Sequence, residues 1–262
     1  MVSRQPAVAG KYYPASPSQL TQSLDLFFQD VDRRTDALGV VAPHAGYPFS
    51  GQVAAYSYAS VSPDFDGTFL IFGPSHAGSE TCTSVIPWKT PLGTTEIDVD
   101  LAESLDIPVD ETAHRYEHSI EVQLPFIQYL FPESRIVPVM IGDQSLPSVM
   151  KIADLVDSAL GARDNKVRFV ASSDFSHYVP DTWARHYDLL AISALEDLNI
   201  SEFYQIIMEH NITACGFGPI GIMAELCRRQ GAEHASLLKY ITSGDITGDL
   251  SAVVGYAAIA VI

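Results

Sequence analysis

Basic residues are scarce in this chain: 15 Lys and Arg stand against 32 Asp and Glu in 262 residues, a formal net charge of −17. A surface that binds a phosphate backbone needs clustered Lys and Arg. No such cluster occurs, so nucleic acid is excluded as an expected partner. The excess of acid serves solubility, with adaptation to high salt as the other physical reading. Cysteine is scarce too, with Cys82, Cys215 and Cys227 the full set. An odd number in a chain this long argues against a disulfide framework and fits a reducing cytosol, so a cytoplasmic location is expected. No apolar core follows Met1-Val2-Ser3-Arg4-Gln5-Pro6, so this stretch does not read as a secretory signal. The longest apolar stretch, residues 252–262, is too short to span a bilayer. It is β-rich and reads as a closing strand, and no membrane partner is expected. Repeats and low-complexity tracts are absent.

What is present is core material: 47% of residues are hydrophobic and 18% charged. Ser16 is placed to N-cap a first helix, with Pro17 at its first position and Gln19 completing a capping-box pattern. Leu20, Leu24, Phe27, Phe28 and Val31 then fall on one face. Residues 32–36 form a polar break. Strands are expected at 38–42, 68–72, 135–141 and 167–172, with two more near 235–243 and 251–261. Short β segments at 83–87 and 94–98 flank a Pro-Leu-Gly turn. Helices are expected at 50–60, 100–105, 146–160, 182–197, 201–209 and 216–230, and over 117–131 with a break at Pro125. Strands alternating with helices predict an α/β chain, a single three-layer α/β/α domain over 1–262 with a central mixed, mostly parallel sheet. The late adjacent strands predict an antiparallel edge.

The informative chemistry sits where apolar runs stop. Gly39-Val40-Val41-Ala42 breaks at Pro43 and delivers His44; Phe69-Leu70-Ile71-Phe72 breaks at Gly73-Pro74 and delivers His76. Val167-Arg168-Phe169-Val170 ends in Ala171-Ser172-Ser173 and delivers Asp174 and His177, and Thr213-Ala214 delivers Cys215 before Gly216. In open α/β sheets ligands bind beyond the carboxyl ends of the strands, so imidazoles at several strand ends predict a metal or acid–base site. Two histidines and a cysteine supply the three ligands of an open metal site. A thiolate among them favours iron, copper or zinc over magnesium and calcium. A helix N-terminus lowers a thiol pKa, which favours the thiolate of Cys215. Asp174 and His177 stand one helical step apart, which suits a carboxylate orienting a general base; the same residues also fit Asp174 as a helix N-cap with His177 at the surface. Glu117 and Glu121 share one face of any helix there, and His118 neighbours Glu121. Ser75 in Gly73-Pro74-Ser75-His76-Ala77 falls short of a nucleophile elbow, because the second glycine of that motif is Ala77. Cys227 and the remaining histidines, His114, His186, His210 and His234, show no supporting pattern; Cys227 reads as core and the histidines as surface.

Taken in order, these motifs resemble the Memo family (mediator of cell motility; in prokaryotes, AmmeMemoRadiSam system protein B). The resemblance is carried by Arg4-Gln5-Pro6-Ala7-Val8-Ala9-Gly10 with Tyr13-Pro14, Ala42-Pro43-His44-Ala45-Gly46-Tyr47 and Gly73-Pro74-Ser75-His76. It continues through Glu117-His118-Ser119-Ile120-Glu121, Ser172-Ser173-Asp174-Phe175-Ser176-His177 and Cys215-Gly216 with Pro219-Ile220-Gly221. It implies a fold shared with class III extradiol ring-cleaving dioxygenases, metal ligation by His44, His76 and Cys215, and a pocket lined also by Asp174 and His177. It implies redox chemistry with iron(II) or copper; in animal members a phosphotyrosine-peptide-binding role has been proposed. Those dioxygenases carry a carboxylate where this chain has Cys215, and a thiolate is more electron-rich and itself oxidisable.

The expectation is therefore a metal-dependent, dioxygenase-like oxidoreductase acting on a small molecule or peptide. His44, His76 and Cys215 hold iron(II) or copper, with zinc also fitting the donors. His177, oriented by Asp174, acts as acid–base, and Glu117 and His118 support the pocket. The alternative is a binding module that reuses the pocket for a peptide or protein, within a radical-SAM-linked modification system. A homodimer is compatible with a chain of this size.

Overall fold

The computed structural model describes residues 2–32, 36–161 and 166–262; the polar break expected at 32–36 falls mostly outside them. In chain order the strands are β1 (Gly39–Ala42), β2 (Thr68–Pro74), β3 (Cys82–Thr83), β4 (Trp88–Thr90), β5 (Gly93–Thr95), β6 (Arg135–Ile141), β7 (Val167–Ser172), β8 (His177–Val179), β9 (Ala235–Thr242) and β10 (Val253–Val261). The helices are α1 (Pro17–Phe28), α2 (Tyr47–Ala59), α3 (Val99–Ser104), α4 (Glu111–His114), α5 (Leu124–Leu130), α6 (Leu146–Leu160), α7 (Asp181–Glu196), α8 (Ile200–Glu209), α9 (Phe217–Arg229) and α10 (Gly244–Thr247).

The sheet runs β3-β6-β2-β7-β1-β10-β8, with β9 on β10. Its centre, β6-β2-β7-β1, is parallel. The flanking strands β3, β10, β9 and β8 pair antiparallel. The parallel strands read as unbroken apolar runs because both faces are covered, and β1, β2 and β7 are buried at every position. Helices α2 and α9 both pack on β1. The approach of α9 is close: a Cβ at Gly39 would lie 2.5 Å from Cys227 Sγ, which places Cys227 in the core as expected. The fold is α/β with a central mixed sheet flanked by helices. No helix among the described residues is long and apolar enough to cross a membrane.

Local departures from expectation have identifiable causes. The β hairpin pairs Trp88–Thr90 with Gly93–Thr95, a shift that lets Cys82–Thr83 pair separately with β6. Ser16 occupies the N-cap position without a side-chain cap; its hydroxyl meets Ser18 instead. Residues 117–120 are not helical. A single 3₁₀ turn at Glu121–Gln123 leads into α5, where Pro125 sits in the first turn, the one place a helix tolerates it. Glu117 and Glu121 therefore share no helical face. The segment 173–176 is also non-helical and leads into β8, so Asp174 and His177 are not on one helical turn. No helix follows Ser75, whose hydroxyl accepts from Ser79 N–H, so the elbow geometry is absent.

Candidate metal centre

Because β1, β2 and β7 are parallel, their carboxyl ends open on one edge of the sheet, and the turns leaving them bring His44, His76 and Asp174 together. His44 is buried. Its Nδ1 lies 2.9 Å from Ser172 Oγ. That hydroxyl spends its proton on the Ser119 carbonyl at 2.6 Å and accepts from Gln123 Nε2 at 2.8 Å. It can only accept from His44 as well, so Nδ1 carries the hydrogen and Nε2 presents a lone pair. Burial, then the nearby His118 and His76, hold this imidazole well below its usual pKa.

Glu117 does the same for His76. Its buried carboxylate accepts from His76 Nδ1 at 2.9 Å and from the backbone N–H groups of His76, His118 and Ser119 at 2.8–2.9 Å. Burial alone would raise the Glu117 carboxyl, but the His76 ring and these backbone donors outweigh it and hold it well below the usual range. For His76, burial pulls the pKa down and the Glu117 bond more than restores it. A carboxylate accepts only, so Nδ1 donates and Nε2 is free. His118 stacks on His76 with ring centroids 4.6 Å apart, and its Nδ1 lies 3.3 Å from Glu117 Oε1. Burial lowers its pKa. One ligand atom from each of His44, His76 and His118 falls within 4.8 Å of the others.

Cys215 adjoins His44 from the turn before α9. Its Sγ is 3.2 Å from His44 Nε2 and receives the Asp174 N–H at 3.3 Å. This turn lies hard against the end of β7: a Cβ at Gly216 would be 2.4 Å from the Ser172 carbonyl oxygen. Gln144 braces it, donating to the Cys215 carbonyl and accepting from Gly218 N–H. The helix starts two residues later, and burial pushes the metal-free Cys215 thiol well up. The lowering expected from a helix N-terminus is thus outweighed by desolvation.

Asp174 does not bond to His177. Its Oδ1 accepts the N–H groups of His44 (2.8 Å) and Ala45 (3.3 Å), and burial raises its carboxyl to about 6. His177 is held by Thr213, whose hydroxyl accepts its N–H and whose carbonyl accepts from Nδ1 at 2.9 Å. Both residues face one cavity of about 360 Å³, shared with His44, His76, His118 and Tyr12. The structure thus gathers His44, His76, His118, Asp174, His177 and Cys215, with Glu117 directly behind two of the rings. Sequence reasoning missed the supports Ser172 and Gln123, and the wall residues Tyr12, Tyr178 and Tyr256. None carries a local pattern, since each reaches the site by tertiary packing.

The donors fit a transition metal. The Nδ1–H groups of His44 and His76 are anchored outward, the arrangement that orients imidazole ligands. The 3.2 Å between His44 Nε2 and Cys215 Sγ is close to the roughly 3.5 Å that ligand arms of about 2.0 and 2.3 Å make at a tetrahedral angle.

Fold and site together define a class: an α/β protein with a histidine-rich cluster, able to hold a metal ion, at the carboxyl edge of its parallel strands. The comparisons give the particular family. The profile of the family described as Memo-like protein matches residues 4–260. A MEMO1 family protein of Methanosarcina barkeri is 46% identical over 265 residues, covering 98% of this chain and 99% of its own. Those of Methanosarcina acetivorans and Nitrosopumilus maritimus are 42% and 36% identical, again over 98% or more of each chain. The chain belongs to the Memo family.

Proposed function

We propose that this protein is a non-haem iron- or copper-dependent oxidoreductase acting on a small molecule or peptide, with His44, His76 and Cys215 as metal ligands. The observations that carry the reading are the gathering of His44, His76 and His118 within 4.8 Å of one another beside a cavity and the approach of the Cys215 thiol to 3.2 Å from His44 Nε2. Three protein ligands leave positions open for water or substrate, and a thiolate favours the softer ions over magnesium and calcium. A bound iron or copper ion supplies one-electron redox chemistry. The surrounding residues do the rest. Glu117 fixes the His76 ring and Ser172 fixes the His44 ring. His118, kept neutral by burial, accepts a proton beside the ligands. His177, with Nδ1–H committed to Thr213, offers Nε2 to the cavity as a second acid–base group.

The test is metal analysis of untagged protein purified without added metal, wild type beside His44→Ala and Cys215→Ala. Near-stoichiometric iron or copper in the wild type, lost from both variants, is expected. Equal metal content in all three preparations would refute the ligand assignment.

A further inference from the structure

We infer that the cavity recognises an organic cation, a substrate or peptide bearing a protonated amine, through Asp174 and a wall of tyrosines. The inference deepens the proposed function, since it takes this cavity to be the substrate site, but it does not depend on which ion is bound.

Three observations converge. First, Asp174 is 5% exposed and lines the cavity, yet both of its hydrogen bonds go to Oδ1. Among the described residues, Oδ2 has no hydrogen-bond partner. A carboxylate oxygen without a protein partner beside a cavity is free to take a ligand, and a charged N–H donor is its strongest complement. Second, no Lys or Arg lines the cavity, so in the metal-free protein an anionic headgroup would meet Asp174 without a fixed cation to receive it. The whole-chain charge of −17 acts in the same sense, drawing cations and repelling anions. Third, Tyr12, Tyr178 and Tyr256 line the same space. Tyrosine faces attract ammonium groups. Tyr178 is 80% exposed with φ +57°, a left-handed conformation unusual for a bulky residue, and it stands at the mouth rather than in the core. An aromatic ring that the core does not need, held out over a cavity containing an unpaired carboxylate, is suited to a cationic ligand.

The experiment compares three ligands that share one ring and differ in charge: phenethylamine, 2-phenylethanol and phenylacetate. Each is titrated by calorimetry at pH 7.5 into the full chain, stripped of metal by chelator so that a carboxylate cannot score by ligating an ion. Phenethylamine is expected to bind at least tenfold more tightly than the alcohol, and phenylacetate more weakly than either. Asp174→Asn should erase the preference for the amine over the alcohol. Tyr178→Ala should weaken the amine severalfold while Tyr178→Phe keeps it, and this exposed position leaves folding untouched. Equal binding of amine and alcohol, or a preference for phenylacetate, would overturn the inference. Metal content of unstripped samples reports separately on the metal ligands, so protein that carries iron yet prefers phenylacetate would refute the cation reading alone.

Discussion

His114 shows how a single residue escapes a reading by pattern. It was expected at the surface, yet it is fully buried with its ring 5.4 Å from Trp88. Its helix, Glu111–His114, spans four residues, too few for a periodic apolar face to declare itself. Burial, and then the charge of Arg4, lower its pKa to about 4 from an ordinary value of 6.5. Between those values the unfolded chain takes up a proton that the native state refuses, so stability falls as pH drops from 6.5 toward 4, by about 3 kcal/mol from this group. His114→Leu should remove that component, which urea denaturation at pH 4.5 and 7 would measure; an unchanged pH dependence would refute it. The histidines at strand ends were legible because each follows a turn that closes an apolar run. Their hydrogen-bond partners were not, since Ser172 and Gln123 look like any buried polar residues in sequence. Glu117 was visible, but its task was not. Glu117→Gln replaces a four-fold acceptor with a neutral amide, and metal affinity should drop by about ten- to a hundredfold, read by competition with a chelator.

At the scale of elements, the site depends on a strap formed by residues 4–13 against residues 114–123. Arg4 donates to Glu121, to the carbonyls of His114 and Glu117, and lies 4.1 Å over the Trp88 ring. Glu121 also accepts from Ala7 N–H, Val8 N–H and the Tyr13 hydroxyl. The pair is almost fully excluded from water. Removing one partner strands the other charge, so Arg4→Met should cost about 3–5 kcal/mol in denaturant unfolding. A loss below 1 kcal/mol would show that the carboxylate is satisfied without it. The strap also delivers Tyr12 onto His118, with ring centroids 4.7 Å apart. Sequence spacing read residues 117–121 as one segment. It placed that segment on a helix, because Glu117 and Glu121 stand four apart; hydrogen bonding of Glu117 to its own following N–H groups holds 117–119 in a turn instead. The break at Asp174 has a similar cause, since its carboxylate serves the His44 turn rather than a helix of its own.

For the whole molecule, the α/β class and most element positions follow from alternating apolar runs and amphipathic stretches, which is local information. Strand order is not local. The late strands were legible as an antiparallel edge, β9 on β10, but nothing in residues 253–261 names β1 as their other neighbour. The same holds for the centre, where donors 171 residues apart, His44 and Cys215, meet because the parallel strands end on one edge. The arrangement leaves two candidates beside His44 and His76 for the third ligand, Cys215 and His118, and the account assigns Cys215. X-ray absorption at the metal edge of iron-loaded protein prepared without oxygen tests this most directly. The account predicts one sulfur scatterer at about 2.3 Å beside imidazole nitrogens, absent from Cys215→Ala. A shell of nitrogen and oxygen alone in the wild type would contradict it and give the third position to His118.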